Sequence, residues 1–282
     1  MALIPPQFLD AVVAIGVGDD PDKRKWIGSG FLYARAEKAL ENNKKTYTMY
    51  LVSNNHVLKG HKRIYIKFNS STDLTSKDYV IDLIAKNGKQ KWVSHGEADV
   101  GAMWINVNEL RNEERKFSYF HSDDHSANVQ KLNDIGVSEG DGVYVLGFPM
   151  GMVDTTRQYV VCRSGCISRI QDVLEGKLNG FLIDATVFPG NSGGPVLIRP
   201  EQSSIKGTKA IMQSYLIGIV ESYVPYNDVA ISQQTLRPRI IFEENSGLTS
   251  VITIDRVNET VERERMRIKA RISKATRKTS KK

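Results

Sequence analysis

Asp184-Ala185-Thr186-Val187-Phe188-Pro189-Gly190-Asn191-Ser192-Gly193-Gly194-Pro195 is the stretch that decides how the rest of the chain is read. The apolar run Phe181-Leu182-Ile183 feeds into it and a second, Val196-Leu197-Ile198, leaves it. One serine therefore sits in a glycine-rich turn between two core strands. A serine hydroxyl is a poor nucleophile unless a base takes its proton and nearby donors stabilise the oxyanion that forms. Glycines on both sides let the backbone turn sharply, so the N–H groups of Gly190 and Ser192 can point at one spot. The competing reading is a tight Gly-Pro turn with no chemistry. The two readings separate on whether the chain also supplies a base and an acid.

Working outward toward the N-terminus, both are present. Tyr50-Leu51-Val52-Ser53-Asn54-Asn55-His56-Val57-Leu58 is a β-rich run that ends in a histidine. Glu97-Ala98-Asp99-Val100-Gly101-Ala102-Met103-Trp104-Ile105 sets an acid just before an apolar strand. The order His, Asp, Ser is one of three unrelated chain orders in which this triad occurs. A further hairpin reads Gly140-Asp141-Gly142-Val143-Tyr144-Val145-Leu146-Gly147-Phe148-Pro149-Met150-Gly151. These four motifs, in this order, resemble the trypsin-like (chymotrypsin-fold) serine peptidases, and most closely the HtrA/Deg branch.

The resemblance implies an all-β fold of two six-stranded antiparallel β-barrels with a C-terminal helix. It implies His56 as general base, Asp99 as the acid that orients it, and Ser192 as nucleophile. The oxyanion hole would be the N–H groups of Gly190 and Ser192. Thr186 would lie at the base of the primary pocket and Tyr223 near its wall, with Val220 and Glu221 on the strand beside the substrate. No cofactor or metal is needed. Asn191 stands where zymogens of this family carry an aspartate, so activation by a freed N-terminus is not expected. The PDZ domain usual in the HtrA branch is not expected either, since too few residues follow the last strand.

The expected organisation is an N-terminal barrel over residues 8–120, a linker over 121–136, a second barrel over 137–256, and a helix with a basic tail over 257–282. Short strands are expected at Ala11–Val17, Trp26–Tyr33, Tyr47–Ser53, Arg63–Phe68, Tyr79–Ile84 and Val100–Val107. In the second barrel they are Tyr159–Cys162, Gly165–Ile170, Phe181–Val187, Pro195–Ile198, Ile211–Tyr223 and Leu248–Ile254. Ala34–Lys45 reads as a polar, helix-prone insert. Residues 108–135 read as a polar connection containing His121-Ser122-Asp123-Asp124-His125. That cluster invites a metal reading, but no other metal ligand set is evident and a loop between two barrels normally holds such residues solvated, which is the favoured reading. Asp123 and Asp124 are weaker candidates for the triad acid, because no apolar strand follows to bury and orient them.

Composition bounds the rest. The chain has 282 residues, 40% hydrophobic and 25% charged, enough for a sizeable core. No secretory signal or membrane span is read from the sequence. Two cysteines, Cys162 and Cys166, are too few for a disulfide framework and read as free thiols in a reducing, cytoplasmic setting. The net charge of +7 is concentrated at one end, residues 256–282 holding 11 Lys/Arg against three Glu. Val257, Val261, Ile268 and Ile272 fall at helical spacing there. The expectation is a helix docked on the second barrel, with Arg263, Arg267 and Arg271 toward solvent and a disordered end from Ser273.

The function read from the sequence is therefore a cytoplasmic serine endopeptidase acting on protein or peptide substrates. It would cleave after small or medium apolar residues and be restrained by narrow specificity or by a partner recruited through the basic tail. The alternatives are a silent barrel used as a binding module and a nucleic-acid-associated protein working through its tail. Nucleic acid is the less favoured partner, since a solubilising role explains the charge as well.

Overall fold

A computed structural model of the chain describes residues 3–37, 45–72, 75–154, 156–202, 205 and 209–279, with the backbone path alone for 274–279. The first half forms a nine-stranded antiparallel-dominated sheet from β1 (Val12–Val17), β2 (Lys25–Ala36), β3 (Tyr47–Ser53), β4 (Arg63–Ser70), β5 (Ser76–Asp82), β6 (Val93–Ser94), β7 (Gly101–Trp104), β8 (Arg115–Lys116) and β9 (Phe120–His121). Its order is β5-β4-β1-β2-β3-β7-β6, with β8 added to β4 and β9 running parallel to β2. The second half closes into a six-stranded barrel of β10 (Gly142–Gly147), β11 (Val161–Arg169), β12 (Gly180–Asp184), β13 (Pro195–Ile198), β14 (Leu216–Ile231) and β15 (Pro238–Thr253). Short helices α1 (Pro6–Leu9), α2 (Asn55–Leu58), α3 (Val107–Asn112), α4 (Val129–Ile135) and α5 (Gln171–Leu174) decorate the strands, and α6 (Ile254–Thr279) ends the chain.

The period of two in a strand explains why there are three cores rather than two. On β1, Val13 and Ile15 face the inside of the first sheet, while Val12 and Ala14 face the second half. On β10, Val143 and Val145 fill the second barrel, while Leu146 and the following Phe148 turn toward the first half. Strand β14 repeats the division, with Ile217 and Val220 inside and Leu216 and Ile219 in the shared layer. Phe31, Tyr33 and Phe120 add edge-to-face aromatic pairs to that layer, with Phe31 and Phe120 centroids 5.7 Å apart. Strands buried on both faces read as near-continuous apolar runs, which is how they appear in the sequence.

The structure departs from the sequence reading in several places. The all-β plan of two units and a C-terminal helix holds; what differs in the first half is the strand count, nine rather than six. Residues 108–135 are not a plain connection: β8 and β9 return to the first sheet and α4 packs beside α5. Of the expected polar insert, Ala34–Ala36 simply continue β2, and 38–44 lie outside the described residues. The two strands expected around Ser164-Gly165 are one, β11, so Cys162 and Cys166 lie four positions apart on extended chain and both are free. Strands β14 and β15 pair as far as Ile231 and Pro238, forming a two-stranded arm beyond the barrel. Tyr226, Val229, Ile231, Ile240, Ile241 and Phe242 are exposed on it. Apolar residues fall on both faces of this ribbon, so it lacks the one-sided alternation by which a strand is recognised.

Helix α6 differs most. It packs on β6 and β7 of the first half as well as on β14 and β15. Val257 and Val261 are fully buried in the shared core, Ile268 packs against it, and Ile272 is exposed. Arg263 and Arg267 reach back to the first half: they donate to the carbonyls of His95, Gln90 and Lys91, although Arg263 stays largely exposed. The backbone stays helical to Thr279, past the expected end. Among the described residues no helix is long and apolar enough to cross a membrane.

Because the shared layer belongs to both halves, Phe31→Ala should lower stability by about 3–5 kcal/mol. Urea unfolding followed by fluorescence and circular dichroism should show one earlier transition for both halves; an unfolding event confined to one half would contradict a shared core.

Candidate active site

The turn that carries Ser192 is shaped by what its carbonyl groups bind. Pro189 O accepts from Met150 N–H at 2.6 Å, Gly190 O from the Ser29 hydroxyl at 2.6 Å, Asn191 O from Gly194 N–H at 2.8 Å, and Ser192 O from Ser29 N–H at 2.8 Å. In a trans peptide the N–H points opposite to the C=O. Fixing Pro189 O therefore turns the Gly190 N–H away from the Phe148–Gly151 turn. The neighbouring N–H groups are satisfied: Asn191 donates to Phe188 O at 2.9 Å and Gly193 to Val220 O at 3.0 Å. Among the described residues, the N–H groups of Gly190 and Ser192 donate to nothing. Two unpaired donors two residues apart beside a serine are what an oxyanion hole requires.

Glycine is obligatory at two points of the turn. Gly190 has φ +100° and Gly193 φ +85°. A Cβ on Gly190 would overlap Phe148 O, and one on Gly193 would overlap Ser29 O. Asn191 is buried, and its side-chain oxygen accepts the Phe188 N–H at 3.1 Å. The turn is thus capped from within.

His56 is presented by the one-turn helix α2, which is pinned to the acid rather than to its own strand. Asn54 Nδ2 and Asn55 N–H both donate to Asp99 O, at 2.8 and 3.3 Å. The His56 N–H donates to Asp99 Oδ1 at 2.9 Å, and His56 Nδ1 meets Asp99 Oδ2 in a short hydrogen bond. Nδ1 therefore carries the proton and Nε2 is left with its lone pair free, the tautomer a general base needs. The hydrogen bond to Asp99 raises the His56 pKa above its ordinary value, against the opposing effect of burial. Burial pushes Asp99 up, but hydrogen bonds from His56 outweigh it and hold the carboxyl below its usual value.

The structure thus brings His56 and Asp99 together and leaves Ser192 across the cleft, where its hydroxyl donates to Glu221 O at 3.3 Å. Among the described residues no hydrogen bond joins Ser192 to His56. Ser192 opens onto a cavity of about 150 Å³ lined by Val187, Phe188, Pro189, Val220, Ser222 and Tyr223. No ionisable carboxylate or cation lines it. Tyr223 is one of these lining residues, and its hydroxyl bonds Glu243 on the arm. Thr186 is not: it is exposed and its carbonyl is taken by Arg163 at 2.8 Å. Glu221 contributes its backbone carbonyl, while its carboxylate accepts from Ser250 at 2.7 Å.

The alternative acid and the metal reading can be placed as well. Asp123 accepts from Lys45 at 2.6 Å and Asp124 lies 3.9 Å from the same ammonium. His121, Asp123 and Asp124 do converge, but Lys45 already pairs with Asp123 and lies beside Asp124, and of the three candidate acids it is Asp99 that reaches His56. The residue that sequence reading passed over is Ser29. It is fully buried and holds the Ser192 turn through its N–H and hydroxyl, while its carbonyl accepts the Ser53 hydroxyl; its only sequence signal was the Gly28-Ser29-Gly30 run.

A family model described as a trypsin-like peptidase domain matches residues 28–202. Among curated proteins, the chain is 28% identical over 175 residues to a "Probable periplasmic serine endoprotease DegP-like" of Rhizobium meliloti (strain 1021), covering 62% of this chain and 28% of that protein. It is 27% identical over 207 residues to a protein of the same name in Bartonella henselae, covering 67% and 38%. A "Serine protease Do-like HtrA" of Bacillus subtilis (strain 168) is 26% identical over 182 residues, covering 62% and 32%. The matched stretch thus spans well under half the length of each relative.

The titration of the His56–Asp99 pair fixes a pH signature for stability. A raised histidine pKa stabilises the fold fully below the unfolded value, about 6.5, and the gain is lost as pH rises through the higher folded value. A lowered aspartate pKa stabilises above about 3.9 and is lost as pH falls through the folded value. The stability deficit of Asp99→Asn, measured by thermal unfolding across pH, should therefore be largest between about pH 4 and 6.5 and shrink on both sides. A deficit that grows toward alkaline pH would contradict the pairing.

Proposed function

The chain belongs to the family of trypsin-like peptidase domains, a family of serine hydrolases, and on that premise we propose that it is an endopeptidase working through Ser192, His56 and Asp99. Ser192 Oγ attacks the scissile carbonyl carbon while His56 Nε2 takes its proton. The carbonyl oxygen gains the negative charge and enters the space between the Gly190 and Ser192 N–H groups. Collapse of that intermediate expels the amine, which receives the proton back from His56, and water repeats the sequence on the acyl-enzyme. Asp99 keeps the imidazole in its tautomer and stabilises the imidazolium, in line with its lowered pKa. For the first step the Ser192 hydroxyl must turn from Glu221 O to His56, a bond that often forms only with substrate bound.

The observation that carries this reading is the pair of unpaired N–H groups at Gly190 and Ser192, in a turn whose every carbonyl from Pro189 to Ser192 is tied elsewhere. A binding module derived from the same fold has no need to keep two buried-turn donors empty. Strand β14 runs on past Val220, where its pairing with β13 and the Gly193–Gly194 turn ends, and that stretch beside Ser192 supports a substrate laid down as an added strand. Restraint in this reading comes from the narrow pocket, and the two free cysteines support a reducing compartment. The basic tail is the weaker recruiting surface, since the guanidinium groups of Arg263 and Arg267 are tied to carbonyls of the first half.

Ser192→Ala and His56→Ala should each lower hydrolysis of a peptide substrate by about 10⁶-fold and Asp99→Asn by about 10⁴-fold. A fluorophosphonate probe should label the parent chain and not Ser192→Ala. Labelling that persists in Ser192→Ala, or its absence from the parent, would sink the enzyme reading in favour of a silent barrel.

Cavity size and lining set the specificity. A library of peptides should be cut after Ala, Val or Leu, and Tyr223→Ala should extend the profile to larger side chains by opening the wall. A profile dominated by Arg or Lys would show the pocket assignment to be wrong.

A further inference from the structure

The loop that carries Asp99 is built around a second histidine, and that histidine is held by the C-terminal helix. His95 is almost completely buried, with 1% of its surface exposed. Its ring Nδ1 accepts the N–H groups of Glu97 and Ala98, at 3.3 and 3.1 Å. Its backbone N–H donates to Val100 O at 2.9 Å, and Val100 N–H donates to Ala98 O at 2.8 Å. Asp99 thus sits between two residues, Ala98 and Val100, that are both tied back to His95. Because Nδ1 accepts twice, the ring proton is on Nε2, where it donates to Glu259 Oε2 at 2.7 Å. Arg263, one helical turn further on, donates to the His95 carbonyl.

We propose that His95 and Glu259 are positioning residues for the triad, through which α6 sets the orientation of Asp99 and hence of His56. The inference rests on the peptidase reading above for its effect on catalysis, but not for its effect on His56 itself. Four features support it. Glu259 is kept charged: burial pushes its pKa up, and hydrogen bonds from His95 and Arg256 pull it below its ordinary value. The carboxylate thereby selects the Nε2–H tautomer, and only that tautomer leaves Nδ1 free to gather the Glu97 and Ala98 N–H groups. Asp99 O in turn receives Asn54 and Asn55, so the orientation passes directly to the helix that bears His56. Finally, α6 reaches this loop only because it crosses from the second barrel to β6 and β7. The helix therefore links the half that carries the nucleophile to the loop that carries the acid.

The test cuts the pair at Glu259, which is half-exposed, rather than at buried His95. Peptide hydrolysis and the NMR titration of His56 are measured in the full chain, in Glu259→Ala, Glu259→Gln and Asp99→Asn. Glu259→Ala should lower kcat by about 10²-fold, the effect of a small misplacement of a catalytic group, with KM changed less than about twofold. Its His56 midpoint should fall toward that of Asp99→Asn, because a displaced Asp99 no longer raises it. Glu259→Gln should restore most of both, since an amide oxygen still accepts from Nε2–H. A parent-like kcat and midpoint in Glu259→Ala would overturn the proposal. A loss of kcat with an unmoved midpoint, or no rescue by Gln, would do the same, since either marks a merely structural role. Should Glu259→Ala not fold, the His56 midpoint in Glu259→Asp, whose carboxylate is one methylene short of the imidazole, decides between the same two outcomes. If Ser192→Ala hydrolyses peptide as fast as the parent, the peptidase reading fails, while the His56 midpoint still judges the positioning pair.

Discussion

Three groups of Ser29 fasten the two halves of this molecule beside the Ser192 turn. Its N–H holds Ser192 O and its hydroxyl holds Gly190 O, while the same oxygen accepts from Phe148 N–H at 2.9 Å. Its carbonyl accepts the Ser53 hydroxyl at 2.7 Å, on the strand that leads to His56. One buried residue of the first sheet thereby fixes the Ser192 turn, the turn after β10 and the end of the strand that leads to His56. The close approach leaves no room for a side chain at Gly28, Gly193 or Gly147, each of which faces this junction. Buried polar networks of this kind are costly when incomplete and rigid when satisfied. Around Ser29 its N–H, hydroxyl and carbonyl are all satisfied, while the Gly190 and Ser192 N–H groups and the buried Asn191 Nδ2 have no partner among the described residues.

Rigidity at that junction matters because the site is divided between units with separate interiors. His56 and Asp99 belong to the first sheet, and Ser192 and its pocket belong to the barrel. Apolar packing in the shared layer brings the halves together without direction. The Ser29 hydrogen bonds give that contact a register, and α6 adds a second tie on the opposite side of the acid loop. The arginines that look like a solvent-facing basic stripe in the sequence serve this tie, capping carbonyls of residues 90, 91 and 95.

The sequence carried the short-range parts of this plan. Gly190, Ser192 and Gly193 declare their turn because only glycine tolerates the backbone angles and the close approach found there. His56 and Asp99 are legible because each abuts an apolar strand that fixes where it projects. Strands buried on both faces announce themselves as apolar runs, so β1, β3, β10 and β13 were plain. The β14–β15 arm was not, because a ribbon exposed on both sides has no buried face to impose alternation. Strands β8 and β9 are two residues each, too short for any periodicity to register.

What the sequence by itself determined is which residues could do chemistry and in what kind of local backbone, because turn angles, strand alternation and residue type are properties of neighbours along the chain. What only the tertiary structure decided is who meets whom. Asp99 rather than Asp123 reaches His56, Thr186 stays out of the pocket, and His95 meets Glu259 across 164 positions of sequence. The charge of Arg263 and Arg267 says nothing of the carbonyls they cap. Such pairings depend on the angle at which two packed units and a crossing helix come to rest, and no local pattern encodes that angle. It is set by the summed burial of side chains far apart in the chain, which exists only once the whole of it has folded.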